Sequence, residues 1–369
     1  MHDCLPDSSV AEQDLSLFLN ALEVELPATD PRHPDEYVVI PLNPRAASWL
    51  DTKDGKAVLL GYRSAGIIYP VSIFFLGGDE GTLFCHSALL LDSYEGDEPI
   101  VSRLRGITQE FFSRDADDLL GALDPSWASA TLKGQMDCRI LWNMKPTLKI
   151  AVDLFMATFG QVLDLPLFPT VYSYNNPYLE NLLEVAFPDL KSCDRVLVLG
   201  AGAGLEAACI ALKHNICVDA TDINPIAIAN TLTTARRVGV DHLIHAWVSD
   251  GFKNVRGRYD AILFTAPLAM AEPCPRDRNR YDSCGMVLRE VLAALPSHLS
   301  PNGRLYLMSR PDLSPYGSTH RLRSKARKYF NAKSSVAIHE IWSEDMPGSH
   351  LSRPLRRRTN VDHTDEVNC

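Results

Sequence analysis

The thirteen residues VLVLGAGAGLEAA (196–208) constrain the fold more than any other stretch of the chain. An apolar run too short for a helix turns at Gly200, Gly202 and Gly204 into LEAACIALKH, which has helical periodicity. Glycine permits that turn and lets a ligand approach the backbone, while the helix start offers unpaired amides. A GxGxxG dinucleotide fingerprint would place glycine at 205, where this chain has Leu205, and no P-loop lysine follows. Tight packing alone would also use three glycines, so the loop by itself leaves its ligand open.

The rest of the downstream chain follows the same rhythm. ICVDATD reads as a strand and PIAIANTLTTARRVG as a helix with proline in its first turn. LIHAWVS, YDAILF, the helix around GMVLREVLAAL and the strand GRLYLMS come next. Such alternation implies a parallel sheet with helices on both faces and ligands at the carboxyl ends of its strands. Asp222 closes the second strand, 22 residues after Gly200, where a carboxylate can accept both hydroxyls of a ribose. Asp250 closes the third, in VSDGF, where the acid or its neighbouring amides can meet an adenine amino group. Each acid has a plainer reading, Asp222 as a helix cap and Asp250 as a turn residue before Gly251.

In this order and spacing, RVLVLGAGAGLEAACIA, ATDINPIAIANT, VSDGF and YDAILFTAP resemble a class I S-adenosylmethionine-dependent methyltransferase. They are similar to the "methyltransferase small" group, which includes rRNA guanine N2 and release-factor glutamine methyltransferases. The lead-in PTVYSYNNPYLENLLE resembles that group's segment ahead of the first strand. The resemblance covers roughly 165 to 343 and implies a Rossmann-like doubly wound α/β fold with S-adenosylmethionine as cofactor. It implies Gly200, Gly202 and Gly204 along the cofactor's methionine part and Asp222 on the ribose. Ile223 would touch the adenine face, and Asp250 with Gly251 the adenine edge. Tyr172, Tyr174 and Tyr178 are candidates to face the sulfonium, whose charge aromatic faces stabilise.

At the fourth strand's end the chain departs from the family. Amino-methylating members carry Asn or Asp, then Pro-Pro, then an aromatic residue; here stand Thr265, Ala266, Pro267 and Leu268. A threonine hydroxyl orients a small polar nucleophile but does not copy a planar clamp. Thr265, with Tyr172 and Tyr174, is therefore the candidate reacting centre, and methyl transfer to N or O of a small metabolite is expected. Two alternatives stand beside it: cyclisation of the cofactor to azetidine-2-carboxylate with release of methylthioadenosine, and a non-catalytic binding module.

Proline-rich LDLPLFPTVYSYNNPY divides the chain. Residues 1–165 read as an N-terminal α+β domain that selects substrate or covers the site, 166–345 as the cofactor domain, and 346–369 as a loose tail. Residues 9–24 read as a short amphipathic helix, and the pattern turns helical again over about 103–160. Of the −10 net charge, residues 1–170 hold 25 acids against 12 bases, which argues against a nucleic-acid partner. The basic segment THRLRSKARKYF is read as a helix with a solvated face. No metal-ligand spacing is found among the 11 histidines. The nine cysteines form no CxxC pair, and Cys209 and Cys217 are read as reduced core thiols. With no apolar run near 18 residues and no leader pattern, a cytoplasmic protein without membrane contact is expected. The acceptor and the oligomeric state stay open.

Overall fold

The computed structural model describes residues 36–42, 52–64, 67–77, 82–87, 131–133, 143–144, 148–163, 165–168, 171, 177–267, 286–309, 322–329 and 337–343, together with 16, 17, 20 and 21, which are helical. Five strands come first: β1 (Glu36–Pro41), β2 (Thr52–Ser64), β3 (Ile67–Gly77), β4 (Thr82–Ser87) and β5 (Thr131–Lys133). They form one sheet in sequence order, antiparallel except between β4 and β5. Period-two alternation sends Ile40, Ala57, Leu59, Ile73 and Phe75 into a single apolar cluster.

Short strands β6 (Asn143–Met144) and β7 (Leu165–Pro166) pair antiparallel on either side of α1 (Lys149–Phe159). The helical pattern expected over about 103–160 is thus found over 149–159, with strand residues at 131–133 and 143–144; much of the remainder lies outside the described residues. The proline-marked segment near 165 is no exposed connection. Leu165, Leu167 and Phe168 are each at most 1% exposed and join the same apolar cluster as the first sheet.

The remainder builds the second sheet. Helix α2 (Pro177–Leu190) leads to β8 (Val196–Leu199), α3 (Leu205–His214), β9 (Val218–Asp222), α4 (Pro225–Arg237) and β10 (Ile244–Val248). Then come β11 (Tyr259–Thr265), α5 (Met286–His298), β12 (Leu299–Ser309), β13 (Leu322–Tyr329) and β14 (Ala337–Ser343). The strand order is β10-β9-β8-β11-β12-β14-β13. The first five run parallel, and β14 is antiparallel to both of its neighbours. This is the doubly wound sheet implied by the alternation of elements, with its switch point between β8 and β11.

The basic segment departs from expectation: 322–329 is an edge strand, β13, paired with β14. Its Arg323, Lys325 and Arg327 fall at every second position, a period that suits a strand, and pairing with a partner 15 residues on overrides local helix propensity. β14 pairs with both β12 and β13 and so completes the sheet on this side. The tail 346–369 and the amphipathic helix over 9–24, apart from its four described positions, lie outside the described residues.

Alternate residues of each strand feed opposite cores. Val196, Val198, Ala261, Leu263, Tyr306 and Met308 face the helices α1 to α4, and Leu197, Leu199, Ile262, Phe264, Leu305 and Leu307 face α5. At the sheet's amino edge the polar groups are paired. Tyr259 donates its hydroxyl to Asp219 Oδ2 at 2.7 Å, with the Arg195 guanidinium 4.5 Å over its ring. Tyr306 donates to Asp189 Oδ2 at 2.7 Å, and Arg304 bridges Asp189 (3.2 Å) and the buried Glu340. Burial, then the bond to Asp219, pushes the Tyr259 phenol up. Cys209 is buried, its thiol pushed up to about 12, whereas Cys217 is exposed, contrary to the reading of both as core thiols. Among the described residues no helix is long and apolar enough to cross a membrane.

Candidate active site

Gly200, Gly202 and Gly204 all adopt positive φ (70°, 53° and 80°), so the turn after β8 requires glycine for its backbone alone. Their surroundings differ. A Cβ on Gly202 would meet nothing within 4 Å, leaving its backbone open for close approach. A Cβ on Gly204 would sit 2.5 Å from Thr231 Cα, so that glycine serves the contact between α3 and α4.

Asp222, at the carboxyl end of β9, is held by backbone. Gly202 N–H donates to its Oδ2 and Asn224 N–H to its Oδ1, both at 2.9 Å. Burial pushes the Asp222 carboxyl up, opposed by amide bonds from Asn224, Gly202 and Ile223. A carboxylate has about four acceptor positions, which these amides do not fill, so a ligand hydroxyl can still be accepted. Asn224, not Asp222, caps α4, its side chain accepting Ile226 N–H at 2.9 Å. The helix-cap reading of Asp222 is thereby displaced. Next to it, Ile223 is 43% exposed, as is Val248, which pairs in register with Asp222 at the end of β10. Two exposed apolar side chains thus lie beside the acid at the ends of β9 and β10. Asp250 follows in the turn, ion-paired with Lys253, and Gly251 turns the chain at φ 53°. Below them Ser249 donates its hydroxyl to Gly251 O at 2.8 Å and accepts Asn254 N–H at 3.0 Å.

The fourth strand ends across the switch point. Thr265 pairs in register with Met308, and Ala266 N–H continues to Met308 O at 3.1 Å, so the strand end is rigid up to its proline. Thr265 Oγ1 lies 3.2 Å from Glu206 Oε1 in the first turn of α3. Glu206 is 4% exposed, and burial, eased by the Thr265 hydrogen bond, pushes its carboxyl up to about 7. Sequence reasoning missed this acid. Its signal was a lone charge inside the apolar run LEAACIAL, though its partner lies 59 residues away. Val248 was missed as well, being one more valine in an apolar strand.

The structure therefore brings Gly200, Gly202, Asp222, Ile223, Asp250, Gly251 and Thr265 to the carboxyl ends of β8 to β11. Tyr178 stands in the first turn of α2, whereas Tyr172, Tyr174 and Leu268 lie outside the described residues. The open backbone at Gly202, the amide-held acid and the paired apolar side chains fit a nucleoside bearing a free diol and an extended polar substituent.

A family model described as "Methyltransferase small domain" matches residues 180–330. Mouse methyltransferase HEMK2 is 31% identical over 148 residues, covering 37% of this chain and 69% of its own length. Ribosomal RNA small subunit methyltransferase C of Chromohalobacter salexigens is 34% identical over 122 residues, 33% of each chain. Release factor glutamine methyltransferase of Cereibacter sphaeroides is 31% identical over 147 residues, 36% of this chain and 51% of its own. The chain thus spans about a third and about half of the last two. Two of these relatives are named for acceptors in ribosomal RNA and in a protein, which overturns the expectation of a small-molecule partner with nucleic acid disfavoured. The physical error lies in reading charge as a sum. The acidic excess sits in residues 1–170, and the remainder carries 24 bases against 21 acids, whereas macromolecular contact depends on local patches.

Proposed function

We propose that this chain, which belongs to the methyltransferase small family of S-adenosylmethionine-dependent methyltransferases, methylates a hydrogen-bearing nitrogen of a protein side chain. The observation that carries the reading is the carboxyl edge of β8 and β9, where Asp222 is fixed by the Gly202 and Asn224 amides beside the exposed Ile223 and Val248. S-adenosylmethionine, when bound, supplies an electrophilic methyl group on a positively charged sulfur. Asp222 would accept its two ribose hydroxyls, Ile223 and Val248 would cover the adenine faces, and Asp250 with Gly251 would meet the adenine edge. The turn at Gly200 and Gly202 would take the amino-acid part, with Tyr172 and Tyr174 near the sulfur. Thr265 would hold the acceptor nitrogen. Alignment is the protein's main contribution, because a neutral nucleophile needs little acid or base assistance in an in-line displacement. Residues 1–165 would select the macromolecule and cover the site. A protein acceptor is favoured by the release-factor relative and by a second relative whose name specifies protein N5-glutamine.

Two measurements test the reading. Calorimetry should find S-adenosylmethionine bound in a one-to-one ratio, and Asp222→Ala should weaken it by about 100-fold. Methyl-labelled cofactor mixed with protein, RNA and low-mass fractions of a cell extract should label the protein fraction. Label in RNA alone would transfer the proposal to nucleic acid; methylthioadenosine without label transfer would replace it by cofactor cyclisation.

A further inference from the structure

A carboxyl group buried without an opposite charge is costly to keep, and a glutamine or methionine would fill the same volume without that cost. Glu206 is such a group. It is 4% exposed, and its hydrogen-bond partner among the described residues is a hydroxyl, Thr265 Oγ1. The start of α3 offsets part of the cost, since helix N-termini favour negative charge. The pair also spans the crevice between β8 and β11, the one place in this sheet where a ligand's reacting end is expected.

We infer that Glu206 is a positioning residue for the acceptor: by accepting the hydrogen bond of the Thr265 hydroxyl it turns that hydroxyl's lone pairs outward, so the site selects an acceptor atom that carries an N–H or O–H. The inference deepens the proposed methyl transfer and rests on that reading. A hydroxyl has one proton and two lone pairs. With the proton committed to Glu206 Oε1, what Thr265 can offer a substrate is acceptance, and a substrate N–H held there directs its own lone pair elsewhere, toward the cofactor. Asn or Asp at this position does the same with a carbonyl or carboxylate oxygen. Here the acceptor character comes from two side chains together, a hydroxyl whose polarity is set by a carboxylate beneath it.

The arrangement depends on protonation. A protonated Glu206 donates to Thr265 instead, which frees the Thr265 proton to point outward, where it repels a donor. The raised carboxyl of Glu206 brings that switch near neutral pH. The surrounding elements hold few competing groups among the described residues. Cys209 is one turn along α3 with its thiol pushed up to about 12. From α4, Asn230, Thr231 and Thr234 are neutral and turned to the loop carbonyls. On β9, Asp222 is occupied by amides, and beyond β10 Asp250 is paired with Lys253. On the same face of β12, the Arg304 network with Asp189 and Glu340 lies four residues back from Met308, the partner of Thr265.

The test uses the full-length protein with Glu206→Gln, Thr265→Val and Thr265→Ser, each first checked for wild-type cofactor affinity by calorimetry. In carbon-13 carboxyl spectra, the Glu206 signal, assigned by its loss in Glu206→Gln, should titrate near pH 7. Thr265→Val should raise that midpoint. Label transfer from S-adenosylmethionine to extract protein should rise with pH through the same midpoint. Glu206→Gln should lower the rate by about 100-fold and abolish the step, and Thr265→Ser should stay within about three-fold of wild type. Hydrolysed product should contain N-methyl or O-methyl groups and no methylated thioether. A Glu206→Gln protein that keeps both rate and pH step overturns the inference, as does a Glu206 midpoint unmoved in Thr265→Val. Wild-type protein that binds cofactor and transfers no label sinks the methyl-transfer reading instead, and the carboxyl titration still decides whether the two residues are coupled.

Discussion

Several acids at the two edges of the seven-stranded sheet are held in opposite ways. At the amino edge Asp219, Asp189 and Glu340 meet guanidinium groups, with Tyr259 and Tyr306 completing the pairing. At the carboxyl edge Asp222 meets backbone amides, and Glu206 meets a hydroxyl. Paired charges repay part of their desolvation, whereas acids left with neutral donors stay available to something else. The difference separates an edge built for cohesion from one built for a ligand: breaking a charge pair at the amino edge should cost stability, whereas neutralising the buried acid at the carboxyl edge should add it.

The largest change is expected where the loop touches α4. Gly204→Ala combines a positive φ with a 2.5 Å approach to Thr231 Cα, and urea unfolding should show a loss of about 3 kcal/mol. A variant as stable as wild type would mean the glycine turn can shift, and the rigid description of this edge would fail. Arg304→Met comes next. It removes the guanidinium paired with Glu340, whose side chain is 4% exposed, at a cost of about 2–3 kcal/mol. Because the arginine itself is 35% exposed, screening keeps the value at the lower end. Cofactor affinity should be unaffected in that variant.

Glu206→Gln should reverse the sign. Burial moves this carboxyl from 4.5 to about 7, so its ionisation opposes folding. The folded state binds the proton more tightly, and this group's contribution is complete below pH 4.5 and lost as pH rises to about 7. Melting curves should therefore show the variant more stable than wild type by about 1–3 kcal/mol above that window, with the gap closing below it. An equal gap at all pH values would refute the buried-acid account. The smallest effect is expected from Val248→Ala. This 43% exposed side chain contributes little to folding, and calorimetry should show cofactor binding weakened by about three-fold at unchanged stability.

What could be read from the sequence divides along similar lines. The turn after β8, the placement of Asp222 and the alternation through β12 are local patterns, in which residues a few positions apart define each element. Glu206 and Thr265 are meaningful only as a pair brought together by sheet closure. The strand β13 was misread because arginine and lysine suit a helix locally, while the strand state depends on β14. Cys217 sits in an apolar run yet is exposed, because it precedes β9 instead of lying within it. Helix α1 ends at Gly160, at φ 72°, ahead of the prolines, and Leu165, Leu167 and Phe168 belong to the core.

Helix α4 braces two segments at once. Within a span of five residues, Thr231 donates to Gly202 O at 3.2 Å, Thr234 to Ala203 O at 2.7 Å, and Asn230 Oδ1 accepts Phe168 N–H at 2.7 Å. One helix face thus acts as a jig that fixes both the glycine turn and the strap leading into the sheet, without touching the tip of β11. A lineage could exchange the residues at that tip and so take on a new acceptor without recutting the cradle, provided the exchange respects the carboxylate of Glu206.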